Sequence, residues 1–300
     1  MAELIAFIGG GQMAGSLIGG LRAAGHPASR IRVAEPDPKR AEWLRNAFGV
    51  EVLGAGAEVA PDANALVLAV KPQVMQEALR GVKPAAGAVV VSIAAGVRVA
   101  SLRRWLGGAA VIVRCMPNTP AQLGSGVTAL FAPPETGADA RGLAEKILGS
   151  AGATCWVEDE ALLDAVTALS GSGPAYFFLL TEVLRDAGQA LGLDAATARL
   201  LAEKTFIGAG RMAEAGGKDV AELRANVTSK GGTTEAALAH LEKHGLRALF
   251  KDALSAAAHR SKQLGDDLSE SPRLPSPEAP GASAGCPDAS SGPAVSRLPS

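Results

Sequence analysis

Cysteine is scarce: Cys115, Cys155 and Cys286 are the only three in 300 residues, and no two share a C-x-x-C spacing. That excludes a thiolate zinc centre or a disulfide framework as the organising device, and suits a reducing compartment. No metal site is expected. No apolar run approaches the ~18 residues needed to cross a bilayer, so no membrane association is expected. The first apolar run begins almost at Met1, leaving no room for a cleavable leader, and the expected location is the cytoplasm. Charge of one sign is missing too. A net charge of −1 gives no electrostatic case for nucleic acid or an anionic surface. Aromatic residues make up 4 % of the chain, and no internal repeat is evident. Apolar material is plentiful, at 48 % against 20 % charged, enough for one large or two ordinary domains.

The stretch around which the rest is arranged is Leu4 to Leu21, LIAFIGGGQMAGSLIGGL. Leu4 to Ile8 suits a strand buried on both faces of a parallel sheet. A glycine turn, Gly9-Gly10-Gly11-Gln12-Met13-Ala14, follows, and then Met13, Leu17, Ile18 and Leu21 at helical spacing. In this G-x-G-x-x-A pattern Gly9 permits the tight turn, Gly11 lets backbone approach a pyrophosphate, and Ala14 lets helix and strand pack closely. The helix start offers free N–H groups to phosphates. The pattern predicts dinucleotide binding by Ile8 to Ala14.

Strands are expected at 30–35, 51–53, 65–70, 88–93, 111–115, 127–131 and 153–157, with helices at 39–48 and 138–148. At the end of the second strand, Glu35 could accept from a ribose 2′-hydroxyl, as NAD requires, while Lys39 and Arg40 could hold the 2′-phosphate of NADP. A solvated charge cluster is the third reading, and the cofactor choice stays open. Ala69-Val70-Lys71-Pro72 ends a buried strand at the edge where such sheets present residues to ligands. Ala94-Ala95-Gly96 is small enough for a ring to lie against backbone, and the rigid Met116-Pro117-Asn118-Thr119-Pro120 loop closes the next strand.

The alternation stops near residue 158, where an all-helical region begins. The expected division is a dinucleotide-binding domain over 1–158, a helical domain over 159–266 and a disordered Ser/Pro/Ala/Gly-rich tail over 267–300. Helices are expected over 175–191 and from an Asp194 cap to about Ala215. Both are nearly as apolar as buried helices, which predicts that the domain dimerises or interlocks with its copy. Asn226 to Leu238, NVTSKGGTTEAAL, leads a glycine loop into a helix start, with Glu235 placed for the dipole. Such a start suits a small carboxylate, and Thr234 adds a hydroxyl.

Five stretches together resemble pyrroline-5-carboxylate reductases: FIGGGQMA (7–14), LAVKPQ (68–73), RCMPNTP (114–120), ALSGSGPAYFF (168–178) and NVTSKGGTTEAALAHLE (226–242). The resemblance runs from about residue 3 to 265. It implies a Rossmann-like, doubly wound α/β domain followed by an all-α dimerisation domain, in a homodimer or a larger ring such as a decamer. It implies NADPH or NADH at the glycine turn, at Ala69, Val70, Lys71 and Pro72, and at Ala94, Ala95 and Gly96; Glu35, from its place at the strand end, and Asn118 are expected to join them. It places the substrate, 1-pyrroline-5-carboxylate, on Val227, Ser229, Gly231, Gly232 and Thr234; the N–H groups from Ser229 to Thr233 are expected to hold its carboxylate, with Thr234 as the catalytic residue. Two positions depart from the family pattern: Ala34-Glu35, where a polar residue often ends the second strand, and Gly56, near which an asparagine is common.

Hydride transfer to a cyclic imine asks little of side chains beyond placement, which agrees with five stretches that offer no obvious acid or nucleophile. A β-hydroxyacid dehydrogenase would need a base, with Lys204 and Lys230 as the helical-domain candidates. A non-catalytic NADP-binding regulator is the remaining alternative.

Overall fold

The computed structural model describes residues 2–108 and 110–270. Eight strands form one sheet: β1 (Ile5–Ile8), β2 (Ile31–Ala34), β3 (Glu51–Leu53), β4 (Ala65–Leu68), β5 (Val89–Ser92), β6 (Val111–Met116), β7 (Gly126–Phe131) and β8 (Gly152–Trp156). The helices accompanying them are α1 (Gln12–Ala23), α2 (Pro38–Phe48), α3 (Gly56–Val59), α4 (Met75–Ala78), α5 (Val99–Leu106) and α6 (Ala138–Gly149). The sheet order is β3-β2-β1-β4-β5-β6-β7-β8, so the chain winds outward from β1 on one side and then returns to its other side. The C-terminal ends of β1 and β4 therefore meet at a switch point, where open α/β sheets bind ligands.

Residues of the central strands are buried on both sides, as their uninterrupted apolar runs require. Ile5, Phe7, Val67 and Val91 belong to one core layer with α1 and α6. Leu4, Ala6, Ile8, Leu66, Leu68 and Val90 belong to the opposite layer with α5. The structure departs from the sequence reading in this domain: the short helices α3 and α4 and helix α5 were not expected, and β7 runs antiparallel to β6. The Met116–Gly126 connection is too short to carry a crossover helix, so the chain can only turn back.

The helical region comprises α7 (Leu162–Val166), a π-turn over Thr167–Gly171, α8 (Gly173–Ala190), α9 (Ala195–Glu214), α10 (Val220–Asn226), α11 (Thr233–Lys243) and α12 (Leu246–Glu270). The Asp194 carboxylate accepts from the N–H groups of Ala196 and Thr197 at 3.0 Å, which is the expected N-cap of α9. Phe177 of α8 meets Phe206 of α9 at 5.8 Å between ring centroids. Much of the remaining apolar surface of α8 is open to solvent: Phe178, Leu179, Val183 and Leu184 are all more than half exposed.

Residues 267–270 lie in helix, where the start of an unstructured tail was expected. α12 continues to Glu270, and its last turns lie on the first domain. Leu268 packs against the core layer that holds α5. The Ser269 carbonyl accepts from Arg104 at 2.9 Å. These contacts hold residues 267–269 in helix. The rest of the expected tail, Cys286 included, lies outside the described residues.

Candidate functional site

The glycine turn is built as its sequence demands. Gly9 sits at φ +94°, in the left-handed region that favours glycine. Its N–H donates to the Ala34 carbonyl at 2.9 Å, which ties the turn to β2. A Cβ placed there would meet Val70 Cγ1 at 2.7 Å and the Ala69 carbonyl oxygen at 2.9 Å. The Ala69 N–H in turn donates to the Ile8 carbonyl at 2.8 Å. Thus Ile8–Ala14 and Ala69–Pro72 come together at the switch point. A Cβ on Gly11, by contrast, would meet only Arg40 Nη1, at 3.7 Å. Backbone there is approachable, as a pyrophosphate requires. The residues present fit a dinucleotide. Gly9→Ala should cost about 1–3 kcal/mol in strain. It should weaken dinucleotide binding at least about tenfold, or 1.4 kcal/mol, measured by nicotinamide fluorescence titration.

Around that cradle, Ile8, Gly9, Gly10 and Ala14 are buried, Gly11, Met13, Ala69, Val70 and Pro72 are half-buried, and Gln12 and Lys71 are exposed. The Glu35 carboxylate folds back onto the turn, accepting from the Gly10 N–H at 2.8 Å and the Asp37 N–H at 3.0 Å. Asp37 caps α2 by accepting from the Arg40 N–H at 2.8 Å, with Pro38 in the first helical turn. At Gly56 a Cβ would press on Ile8 Cδ1 and the Ala78 carbonyl oxygen, at 3.0 and 3.1 Å, so glycine there is a packing requirement of this chain.

Ala94-Ala95-Gly96 follows β5, with Gly96 at φ +76°. This loop lies against α12: a Cβ on Gly265 would meet the Gly96 carbonyl oxygen at 2.9 Å. Two residues on, Arg98 pairs with Asp164 of α7 at 2.9 Å, and Asp164 also accepts from the Ser261 hydroxyl of α12 at 2.7 Å. Beside it, buried Arg114 pairs with Glu160 at 2.6 Å, and the same carboxylate oxygen accepts from the Val99 N–H at 2.8 Å. Burial pulls the Arg114 guanidinium below its ordinary pKa, against the opposing pull of Glu160.

Asn118 joins two of the sequence stretches. Its Oδ1 accepts from the Val127 N–H at 2.9 Å and its Nδ2 donates to Ser170 Oγ in the π-turn at 3.3 Å. Cys115 is core: its thiol donates to the Ser92 carbonyl at 3.2 Å, and burial raises its pKa far above the usual thiol range. Among the described residues no cluster of His, Cys, Asp or Glu could hold a metal ion.

The second loop is self-contained. The Gly231 N–H donates to Glu235 Oε2 at 2.6 Å and the Gly232 N–H to the Ser229 carbonyl at 3.0 Å. Thr233 and Thr234, the first two residues of α11, have no acceptor for their N–H groups among the described residues. Val227, Ser229, Gly231 and Thr233 are exposed; Gly232 and Thr234 are half-buried. Among the described residues no hydrogen bond joins residues 227–234 to the glycine turn of the same chain. Lys204 and Lys230 are both exposed.

Sequence reasoning named Arg40 for a 2′-phosphate but not its approach to Gly11, and it missed the Arg98–Asp164–Ser261 bridge. An isolated glycine inside a helical run, Gly265, was the one available signal, since it marks close backbone approach.

Two family models match the chain: pyrroline-5-carboxylate reductase dimerisation over residues 160–264, and NADP oxidoreductase, coenzyme F420-dependent, over residues 4–96. A pyrroline-5-carboxylate reductase of Pseudomonas aeruginosa is 46 % identical over 268 residues, 89 % of this chain and 98 % of that protein. A solved pyrroline-5-carboxylate reductase from Coxiella burnetii superposes with a TM-score of 0.80 at 41 % identity, covering 88 % of this chain and 99 % of that one. A Plasmodium falciparum pyrroline carboxylate reductase solved with NADP bound gives 0.76 at 29 %, covering 88 % and 98 %.

Proposed function

Since the chain belongs to the pyrroline-5-carboxylate reductase family, we propose that it reduces 1-pyrroline-5-carboxylate to L-proline with NAD(P)H, the last step of proline biosynthesis. The observation that carries this reading is the extent of the match. The Pseudomonas relative aligns with 89 % of the chain, and the two family models, over residues 4–96 and 160–264, take in the glycine cradle and the loop before α11.

The nicotinamide, held by the cradle, supplies the hydride. The protein's task is placement at near-attack distance and exclusion of water. The Gly231 and Gly232 N–H groups are used within their own loop. That leaves the Thr233 and Thr234 N–H groups, at the positive end of α11, to hold the substrate carboxylate. The Thr234 hydroxyl then orients the ring nitrogen and supports its protonation, which makes the adjacent carbon the better hydride acceptor. Val227 and Ser229 line the same pocket.

The two halves of the site come together through a second copy of the chain. The open apolar face of α8 is what that copy covers, and the α11 tip of one protomer completes the cradle of its partner. The dimer is interlocked through the helical domain, with a larger ring such as a decamer as the further assembly. Among the described residues no helix is long and apolar enough to cross a membrane. We propose the cytoplasm as the place of the reaction.

The test follows nicotinamide absorbance with pyrroline-5-carboxylate and, separately, with hydroxyacids; turnover is expected with the first alone. Thr234→Ala should lower kcat by about 10²-fold, within the range for a positioned proton-transfer group, with little change in cofactor affinity. Thr234→Ser should recover most of the loss. An unchanged kcat in Thr234→Ala would remove this hydroxyl from the mechanism.

A further inference from the structure

The end of β2 carries more information than the cradle has used so far. The Glu35 backbone is held in the sheet ladder, its N–H donating to the Leu53 carbonyl at 3.0 Å. Its side chain is fixed as well, one carboxylate oxygen on the Gly10 N–H at 2.8 Å and the other on the Asp37 N–H at 3.0 Å. An ionised carboxylate has about four acceptor positions, so two backbone donors leave both oxygens able to accept again. The carboxylate is thus clamped beside the glycine turn, between the place of the pyrophosphate and that of the adenosine ribose. A ribose with free hydroxyls is a donor there. A ribose 2′-phosphate brings about two negative charges and no donor to the same spot.

The cations nearby do not cancel this. Lys39 is exposed and makes no ion pair among the described residues, so what it offers a 2′-phosphate is a solvated, unfixed ammonium, set against a carboxylate that two backbone N–H groups hold in place. The Arg40 guanidinium reaches toward Gly11, its Nη1 lying 3.7 Å from a Cβ placed there. That is the pyrophosphate side of the turn, and the pyrophosphate is common to both nicotinamide cofactors. Asp37 adds a second carboxylate at the same strand end, occupied in capping α2. A relative 29 % identical was solved with NADP bound, so the shared fold can accept the extra phosphate. The balance in this chain is therefore set by its own residues at the strand end.

We propose that Glu35 makes NADH, rather than NADPH, the tighter-binding cofactor of this protein, with Arg40 serving the pyrophosphate of either. The proposal rests on the dinucleotide-dependent reaction proposed above and goes beyond it in naming the residue that selects between the two cofactors.

The test is the dissociation constant of each reduced cofactor on the full-length protein, read by nicotinamide fluorescence without substrate. Wild-type protein should bind NADH at least tenfold more tightly than NADPH. Glu35→Gln keeps the side-chain length and an acceptor for the Gly10 N–H but loses the charge. It should narrow the ratio about tenfold, with NADPH binding tightened. Arg40→Ala, which removes the guanidinium beside Gly11 and none of the hydrogen bonds that hold Glu35, should weaken both cofactors alike. Equal or tighter NADPH binding in wild type would overturn the proposal. So would an unchanged ratio in a Glu35→Gln protein that melts like wild type. Selective loss of NADPH in Arg40→Ala would also overturn it, by assigning that guanidinium to the 2′-phosphate. If the folded wild-type protein bound neither nucleotide, the underlying reductase reading would fall, and the proposal with it.

Discussion

Leu184→Glu is expected to leave the protein folded in its first domain, monomeric, and almost without turnover. Leu184 lies on α8 with 59 % of its surface open in the single chain, beside Val183 at 54 % and within the same helix as Phe178 at 63 %. Exposed singly, such residues need no explanation; a row of them on one helix marks a surface that another chain covers. A glutamate there would be buried without a cation on association. The effective penalty of an unpaired buried charge is several kcal/mol, which is a factor of about 10² to 10³ in dimer affinity. Sedimentation velocity should show one species of half the wild-type mass or less. Turnover should fall in step if, as proposed, the α11 tip of one protomer completes the cradle of its partner. A monomer with full activity would show that one chain suffices, and would remove the interlocked arrangement from the mechanism.

Asp164→Ala should destabilise the fold by about 3–5 kcal/mol, the usual cost of breaking a buried ion pair by removing one partner. Asp164 is 8 % exposed and serves both Arg98 at 2.9 Å and the Ser261 hydroxyl at 2.7 Å. Its loss strands the guanidinium and releases α12 from α7 at one stroke. Denaturant titration at neutral pH would register the change as a lower midpoint. An effect below about 1 kcal/mol, the median worth of a surface pair, would mean that the bridge is solvated. Arg98 follows the Ala94–Gly96 loop by two residues, so the KM for the nicotinamide cofactor should rise together with the fall in stability.

What could be read from the sequence was local. The buried strand β4, the Asp194 cap and the turn at Gly9 all announce themselves within a few residues, through apolar runs, a capping carboxylate and glycine spacing. Helix α5 did not, because Val99–Leu106 spans barely two turns and carries adjacent arginines where a periodic face would be sought. The reversed direction of β7 has no sequence signature other than a connection too short for a crossover. The bridge of Arg98, Asp164 and Ser261 was invisible for a different reason. Its partners stand 66 and 97 positions apart, and nothing near any one of them identifies the others. The same holds for the orientation of Glu35: its place at the end of β2 was legible, but its grip on the Gly10 N–H was not.

The return of α12 to the first domain has a consequence for biosynthesis. The sheet and its flanking helices leave the ribosome first, yet the surface around Gly96 and Arg98 is sealed only by residues near Ser261 and Gly265. Folding domain by domain from the amino terminus would thus stall one step short of completion until the last helix emerges. Closure of that long loop adds an entropic cost that grows only slowly with its length. A nascent chain arrested before residue 246 should therefore present an unfinished Ala94–Gly96 loop, open to proteases at a site that the released protein protects.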